Sequence, residues 1–287
     1  MPDTCSICDD TGWKPVDIDG VRRVVRCDCW QHAQSQKLFD EARIPVRYRR
    51  CDFETFIVYP NEKLKNAVNA VKRFADAFPA VQKGICLIGP HGIGKTHLTV
   101  AVLRAALSRG IHGVFYETSD LLRLIRSTYN PVTKTAELQV LQPLLTAPLI
   151  VLDDVGKEKT TEWVEETMTY IVNTRYNQRL TTLFTSNYDD NPDLEALDSL
   201  QVRVGARMYS RMKEMCEFID YGGADYRQLP PNGGVDDLMM LWKVTGEQRP
   251  RLPVRTKGPV RAQYKHPATA KTDLGWTGGK AGSKNTR

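Results

Sequence analysis

Residues 89–96 form the most chemically informative motif of the chain, since their sequence GPHGIGKT fits the phosphate-binding pattern G-x-x-x-x-G-K-[ST]. Glycines in such a loop let backbone N–H groups converge on one point, at the positive end of the following helix. Lys95 supplies a mobile positive charge for the outer phosphates, and Thr96 offers a hydroxyl to Mg²⁺. The motif predicts binding of a nucleoside triphosphate with magnesium. The predicted nucleotide-binding residues are Gly89, Pro90, His91, Gly92, Ile93, Gly94, Lys95, Thr96 and His97.

Polar side chains follow two further apolar runs. Asp153 and Asp154 come directly after Leu149–Leu152, and Asn187 follows the run that begins at Thr182. An acid at the end of a buried strand suits the Mg²⁺ that bridges the β- and γ-phosphates, which assigns Asp153 to the metal. Asp154 is then placed to orient the attacking water, and Asn187 to hydrogen-bond the γ-phosphate or that water. The two acids alone would merely end a strand; together with the phosphate loop they predict a hydrolytic site.

Arginines recur in a segment of helical appearance, residues 203–219. Arg207 and Arg211 lie four residues apart and would share a helix face. An arginine that reaches the γ-phosphate of a neighbouring subunit would act as a trans-acting finger. The alternative is a solvated face opposite a buried side formed by Met208, Met212 and Phe218.

Four of the seven cysteines lie in the first 29 residues, with the spacing C-x₂-C-x₁₈-C-x-C. Four thiolates can close a tetrahedral zinc site, and in a reducing compartment paired cysteines indicate metal ligands rather than disulfides. Four protein ligands leave no open position, so the predicted zinc site is structural. A metal-free module and a ligand set that includes His32 are the alternatives. The predicted zinc ligands are Cys5, Cys8, Cys27 and Cys29.

Short apolar runs alternate with helical patterns around these motifs, which predicts an α/β fold with a parallel sheet flanked by helices. Ligands bind such sheets at the carboxyl ends of the strands, where the phosphate loop, the two acids and Asn187 all fall. Ser119 is expected to cap the helix that follows it. The expected strands are 85–88, 114–116, 149–152 and 182–185, and the expected helices are 30–42, 62–78, 97–108, 120–129 and 162–176.

Charge is distributed unevenly along the 287 residues, whose formal net charge is +6. Residues 243–287 hold eleven Lys or Arg and two acids, so this end carries +9 and the preceding residues carry −3. A basic segment poor in apolar residues is expected to be disordered, either as an arm that attracts nucleic acid or as a solubilising end. The predicted organisation is a zinc module over 1–38, a linker over 39–61, an ATPase domain over 62–228 and a basic tail over 229–287.

The apolar runs are too short to cross a membrane, and residues 1–5 show neither the basic start nor the apolar stretch of a signal peptide. We therefore expect a cytoplasmic protein without membrane partners.

The combined motifs resemble the bacterial and phage replicative helicase loaders of the DnaC/DnaI type, within the AAA+ ATPases, from about residue 44 to residue 227. The N-terminal cysteines resemble the zinc-binding domain of the DnaI branch. The matching segments are Ile44–Tyr48, Gly89–Leu98, Leu152–Gly156, Thr185–Asn187, Gly205–Met212 and Asp225–Arg227.

The resemblance implies a mechanism. ATP binding would assemble subunits, with Arg211, or Arg207 as second choice, contacting a neighbour's nucleotide and Arg227 sensing the γ-phosphate in its own subunit. The N-terminal module would bind the replicative hexameric helicase, the ATPase module would bind single-stranded DNA, and hydrolysis would release the loader. Asp154 stands where many AAA+ ATPases have glutamate, which predicts slow hydrolysis that DNA or a partner stimulates. The candidate DNA-binding residues are Arg123, Arg126, Tyr129 and Lys134.

Three other functions fit parts of the pattern. A transposition helper ATPase of the IstB type has almost the same ATPase module but is expected to lack the cysteines. A small-molecule kinase leaves the arginine-rich segment and the cysteines unexplained. A zinc-containing nucleic-acid adaptor with little hydrolysis would not need Lys95, Thr96, Asp153 and Asn187.

Overall fold

The computed structural model describes residues 5–129, 137–191 and 199–245. These residues belong to one unit of the chain, residues 1–252. The DNA-binding candidate Lys134 and most of the basic end lie outside the described residues. No described helix is both long enough and apolar enough to span a bilayer.

The N-terminal module is a β-hairpin followed by a helix. Strands β1 (Trp13–Ile18) and β2 (Val21–Arg26) pair antiparallel, and helix α1 (Asp28–Glu41) begins just after Cys27. Asp19 and Gly20 form the two-residue turn with φ of 56° and 74°, as a tight hairpin turn requires. The helix was predicted from the sequence but the hairpin was not, because β2 is rich in arginine and mostly exposed.

The central part of the chain follows the predicted alternation of strands and helices. Each expected strand and helix in residues 62–186 is present, with bounds shifted by at most two residues and with one further helix, α5. The elements are α2 (Glu62–Ala77), β3 (Gly84–Ile88), α3 (Lys95–Ser108), β4 (Gly113–Glu117), α4 (Thr118–Thr128), α5 (Glu137–Thr146), β5 (Leu149–Asp153), α6 (Glu162–Asn177) and β6 (Thr181–Ser186).

Ser119 does not cap α4, so this prediction is wrong. The residue before the helix is Glu117, and Ser119 is buried in its first turn. Thr118 instead donates from Oγ1 to the carbonyl oxygen of Asp153 at 2.8 Å, which ties the start of α4 to the end of β5.

The segment 203–219 is not one helix, contrary to the prediction from its sequence. It contains the end of α7 (Leu200–Val204), then α8 (Ala206–Met215) and strand β7 (Cys216–Asp220). Gly205 separates the helices at φ 85°, in the left-handed region that favours glycine. Met208 and Met212 are buried as expected, but Phe218 lies in β7 because the end of this segment pairs with β3.

Five parallel strands form the main sheet of the described residues, in the order β4-β5-β6-β3-β7. Buried residues form two clusters: one includes Leu87 of β3 and Leu98 of α3, the other Ile88 of β3 and Ile171 of α6. Neighbouring residues of β3 contribute to different clusters because side chains alternate between the two faces of a strand. The predicted α/β class is confirmed, and the carboxyl ends of β3, β5 and β6 meet at one edge.

Both the predicted linker and the predicted tail contribute to this core. Ile44, Phe56 and Tyr59 are buried, although they lie in the segment 39–61. Helix α9 (Val235–Thr245) buries Leu238 completely, so disorder from residue 229 onward is a wrong prediction for residues 235–245. Disorder was predicted from the basic composition of residues 243–287. That composition does not reflect the apolar residues of α9, most of which precede it.

Candidate nucleotide-binding site and cysteine cluster

A cavity of about 650 Å³ opens at the carboxyl edge of the main sheet. It brings together the phosphate loop, the two acids, Asn187 and the predicted sensor Arg227, which are far apart in sequence. The lining residues are Arg47, Tyr48, Cys51, Thr55, Phe56, Ile57, His91, Gly92, Gly94, Lys95, Thr96, His97, Glu117, Asp153, Asp154, Lys157, Thr185, Asn187, Tyr188, Tyr226 and Arg227.

Lys95 is a buried cation at the start of α3. Its Nζ donates to the carbonyl oxygens of Gly89 at 2.8 Å and Pro90 at 2.7 Å, and to Oδ1 of Asn187 at 2.7 Å. Burial lowers the pKa of Lys95 to about 8, although the charges of Asp154 and Asp153 oppose this shift. The ammonium group therefore lies in a low-dielectric setting, where an anion such as a phosphate would interact with it strongly.

Asp153 ends β5 and is held by two threonine hydroxyls. Thr96 Oγ1 donates to both of its carboxylate oxygens, at 2.9 and 3.1 Å, and Thr185 Oγ1 donates to Oδ1 at 2.6 Å. Burial raises the pKa of Asp153 to about 6, while both hydroxyls act in the opposite direction. A carboxylate beside the phosphate-loop hydroxyl is the oxygen donor set that Mg²⁺ prefers. Thr96 and Asp153 would therefore hold the magnesium of a bound Mg·ATP.

Asp154 lies at the centre of a polar network. Its backbone has φ of 58°, a left-handed conformation uncommon for a residue other than glycine, and its N–H donates to Thr185 Oγ1 at 2.8 Å. Its carboxylate accepts a hydrogen bond from Nδ2 of Asn187 and pairs with Lys157 at 3.3 Å. Asn187 thus bridges Lys95 and Asp154, and Lys157 continues the network to Glu117 at 2.8 Å.

The segment before α2 forms one wall of the cavity, which was not predicted from the sequence. His97 Nε2 lies 2.8 Å from the carbonyl oxygen of Asp52, and the ring of His97 meets Phe56 edge-on at 5.1 Å. Phe56 also packs against Tyr226 at 5.3 Å. His97 therefore lies between the phosphate loop and this wall. Phe56 is far from Tyr226 in sequence, and no local pattern marks such a long-range contact.

Arg227 reaches the cavity through a contact with the phosphate loop. It lies in a single 3₁₀ turn, Tyr226–Gln228, where Asp225 accepts from the Arg227 N–H at 2.9 Å. Tyr226 donates its N–H to the Gly92 carbonyl at 3.0 Å. Gly92 has φ of 75°, and a Cβ built on it would lie 1.7 Å from Asp225 Oδ1. The loop glycine therefore lets the turn that carries Arg227 approach closely.

Some predicted site residues lie elsewhere. Gly89 and Pro90 do not line the cavity but accept hydrogen bonds from Lys95, and Ile93 is buried in the core. Arg207 and Arg211 also do not line it: both lie on α8, where Arg211 Nη1 donates to the Arg207 carbonyl at 3.1 Å.

The four N-terminal cysteines are brought together by the hairpin and α1. Their sulfur atoms all lie within 4.8 Å of one another, with Cys5–Cys27 at 3.8 Å and Cys8–Cys29 at 3.3 Å. Zinc–sulfur bonds of about 2.3 Å in a tetrahedron place the sulfurs about 3.8 Å apart. The cluster therefore has the donor set and the spacing of a structural zinc site. His32, the alternative ligand, is not among the clustered residues.

The N-terminal module also contains a cation–π arrangement. The guanidinium of Arg26 lies 3.8 Å from the ring centroid of Trp13 and 4.3 Å from that of Trp30. Some large apolar residues of the module are exposed, among them Ile7 at 60% and Val24 at 64%.

Comparison with known proteins places the ATP-site region in a family. Residues 63–229 match the model of the IstB-like ATP binding proteins, which is more than half of the chain. The chain belongs to the IstB-like ATP-binding protein family. In this family member, the matched region includes the whole phosphate loop, both acids, Asn187 and the arginines of α8.

Individual relatives of this IstB-like protein carry consistent names. It is 25% identical over 178 residues to the replicative helicase loader DnaC of Buchnera aphidicola subsp. Baizongia pistaciae, covering 62% of this chain and 69% of the relative. It is 29% identical over 112 residues to the replicative helicase loader DnaI of Bacillus subtilis, covering 39% and 34%. A crystal structure of the DnaC helicase loader matches with 30% identity and a TM-score of 0.54, covering 61% of this chain and 99% of the other. The AAA+ fold class predicted from the sequence is thereby confirmed.

Proposed function

We propose that this chain is an ATP-dependent loader that delivers the replicative DNA helicase to single-stranded DNA during DNA replication. ATP binding and hydrolysis act as its assembly and release switch. The observation that carries the proposal is the union, in one chain, of a complete ATP cavity and a four-cysteine module. Relatives named DnaC and DnaI are helicase loaders, which supports the same role here.

ATP hydrolysis follows from the chemistry of the cavity residues. Lys95 would bind the outer phosphates, and Thr96 with Asp153 would hold magnesium, an ion that would neutralise charge on the phosphates. Asp154 orients the attacking water, and Asn187 holds Asp154 and Lys95 at a fixed separation through its two amide atoms. Replacing Lys95 with Ala removes the buried cation and should abolish ATP binding.

Hydrolysis by the free protein is expected to be slow. The Asp154 side chain is shorter than a glutamate and is occupied by Asn187 and Lys157. DNA or the helicase would stimulate turnover by changing these contacts. Steady-state hydrolysis by purified protein, with and without single-stranded DNA, tests this. Fast turnover that DNA does not change would contradict it.

Self-association on ATP binding explains why two arginines project from α8 without lining their own chain's cavity. Arg211, or Arg207, would contact the nucleotide of a neighbouring subunit, while Arg227 contacts the nucleotide of its own. An Arg211→Ala chain should bind ATP normally but hydrolyse it poorly by itself. Mixing it with a Lys95→Ala chain, whose Arg211 is intact, should restore part of the activity. A mixture no more active than the two separate variants would contradict a trans-acting role.

Single-stranded DNA would bind beside α4, where aromatic rings and a cation lie together. Tyr129 meets Trp163 of α6 at 6.3 Å between ring centroids, and Arg126 lies 4.5 Å over the Trp163 ring. Tyr129 is 53% exposed, and bases stack on such aromatic surfaces without strong sequence preference. Arg123 pairs with Asp120 at 3.2 Å and contributes less free charge. Replacing Trp163 with Ala should weaken oligonucleotide binding by about 1–3 kcal/mol if a base stacks there.

The N-terminal module is the proposed helicase-binding part, with zinc as the ion that holds it folded. Its exposed apolar residues offer contact area, and its small buried core leaves the four thiolates as its main stabilising element. Zinc analysis of protein purified without chelator should give about one ion per chain, and Cys27→Ser should lower that ratio and helicase binding together.

The main alternative is a transposition helper, because the matching family model is named for the IstB proteins. The cysteine module favours the loader. Co-purification with the replicative helicase of the same source tests this choice directly, with the source's transposase as the competing partner. Binding to the transposase alone would overturn the proposal.

A further inference from the structure

Arg203, near the end of α7, holds the backbone that follows the two acids. Its Nε donates to the carbonyl oxygen of Gly156 at 2.8 Å, and its Nη2 donates to those of Lys157 at 2.9 Å and Glu158 at 3.2 Å. In return, Thr160 Oγ1 donates to the Arg203 carbonyl at 2.9 Å. A planar guanidinium is a rigid fork of donors, so one side chain fixes three successive carbonyl groups.

The backbone held in this way carries a direct contact to the proposed water-orienting acid. Lys157 pairs with Asp154 at 3.3 Å and with Glu117 at 2.8 Å. Asp154 itself lies two residues before Gly156 and has a left-handed backbone. Displacement of residues 156–158 would therefore move Lys157 and, with it, the carboxylate of Asp154.

Arg203 also contacts the residue next to Asn187. Its guanidinium lies 4.7 Å from the ring centroid of Tyr188, a cation–π contact. Asn187 donates to Asp154 from its amide, so both neighbours of the Asp154 carboxylate, Lys157 and Asn187, are adjacent to groups that Arg203 touches. No other described arginine has hydrogen bonds to this stretch of backbone.

The same end of α7 leads to the arginine-bearing helix. Only Val204 and Gly205 separate Arg203 from α8, which carries Arg207 and Arg211. A Cβ on Gly205 would lie 2.6 Å from Glu165 Oε1, so this joint is packed closely against α6. Arg203 thus lies close in sequence to the proposed subunit contact and contacts the backbone beside the proposed hydrolytic residues.

We propose that Arg203 is a positioning residue for ATP hydrolysis, which holds residues 156–158 and Tyr188 so that Lys157 and Asn187 orient Asp154. This inference rests on the proposed ATPase function. Arg203 touches neither the phosphate loop nor Lys95, so it affects turnover rather than nucleotide binding.

The test separates ATP binding from turnover in the full-length chain. Arg203→Leu keeps an apolar stem but loses the fork, and Arg203→Lys keeps the charge but cannot span three carbonyls. Both should leave the Kd for a fluorescent ATP analogue within about twofold and lower kcat about tenfold, the equivalent of about 1.4 kcal/mol. Arg73→Leu, on the exposed face of α2, is the matched control and should leave kcat unchanged. A wild-type kcat in Arg203→Lys would show that simultaneous hydrogen bonds from one guanidinium to three carbonyls are not needed for turnover.

A double-mutant cycle tests the route through Lys157. In a Lys157→Met background, Arg203→Leu should lower kcat by less than about twofold, because contacts that act together are not additive. The same tenfold loss in both backgrounds would overturn the route. A loss of ATP binding in step with a lower melting temperature would show a merely structural role and overturn the inference. Absence of hydrolysis by the wild-type chain even with single-stranded DNA and the helicase would overturn the proposed function itself. Hydrolysis by wild type with unchanged kcat in Arg203→Leu overturns this inference alone.

Discussion

Replacing Thr185 with Val removes one hydroxyl that serves both acids of the site. Thr185 is buried in β6, donates to Asp153 Oδ1 at 2.6 Å and accepts from the Asp154 N–H at 2.8 Å. Valine has nearly the same shape, so the change deletes the hydrogen bonds and leaves the packing. A hydrogen bond to a charged group contributes about 1.5–3 kcal/mol, and about 1.36 kcal/mol corresponds to one pH unit.

The pKa of Asp153 should therefore rise by about one to two pH units from its wild-type value of about 6. At pH 7 the wild-type carboxylate is about 90% ionised, and the variant would be about 10–50% ionised. Only the ionised form binds Mg²⁺ well, so the magnesium concentration for half-maximal ATP binding should rise about two- to tenfold at pH 7. The difference should shrink as the pH approaches 9, where Asp153 is mostly ionised in both proteins.

Magnesium titrations of ATP-analogue binding between pH 6 and pH 9 measure this effect. Thr185→Ser is the matched control, because it restores the hydroxyl and should behave like wild type. Comparing the proteins at each pH cancels the titration of ATP itself. A valine variant with the wild-type magnesium midpoint at pH 7, or a deficit that does not change with pH, would show that the Thr185 hydroxyl does not set the pKa of Asp153.

Three further predictions follow from single contacts. ATP affinity should fall by up to about tenfold per pH unit above pH 8. Lys95 has a pKa of about 8 without nucleotide and loses its proton there, whereas the phosphate-bound form keeps it. Lys95→Arg should not show this fall. Gly92→Ala should weaken ATP binding at least about tenfold because the added Cβ would collide with Asp225. Gly110→Ala is the control, because Gly110 has a similar φ of 77° but open space around it, and this variant should bind ATP normally. Equal affinities of the two variants would contradict the close approach. Arg175→Met should lower the free energy of unfolding by about 3–5 kcal/mol and the Tm by about 10 °C. The buried guanidinium donates hydrogen bonds to three backbone carbonyls and one hydroxyl, which would lose their partner. An unchanged Tm in calorimetry would disprove this.

The phosphate loop and the strand ends were predictable because their signals are local. Residues 85–96 contain the apolar run, the glycines and the start of the helix in one continuous stretch. Asp153 and Asn187 follow apolar runs that the parallel-sheet rule places at one edge. The phosphate end of the cavity, including Lys95 and Thr96, could therefore be predicted from the sequence alone.

The remaining wall of the cavity depends on contacts between distant segments. Phe56 meets His97 and Tyr226 across 41 and 170 residues of sequence, and nothing in the sequence around Phe56 marks it as a cavity residue. Thr185 was recognised only as part of a strand, since its hydroxyl gains a role through Asp153 on the adjacent strand.

Segments 203–219 and 229–245 show the limits of a single pattern. Arg207 and Arg211 favoured a continuous helix, but Gly205 interrupts it and pairing with β3 converts residues 216–220 to a strand. The basic composition after residue 243 hid α9, whose Leu238 packs into the core. Tertiary packing determines the secondary structure of both segments, and the contacts involved join residues that are distant in sequence.

The proposed function requires that ATP in this cavity controls delivery of a helicase to single-stranded DNA. The direct measurement combines the purified chain with the replicative helicase of its source and single-stranded DNA circles, then separates DNA-bound helicase from free helicase. Wild type with ATP should place the helicase on the circles, while Lys95→Ala should not, and Arg73→Leu should match wild type. Helicase that reaches the circles equally with wild type, with Lys95→Ala and with no added chain would contradict the claim.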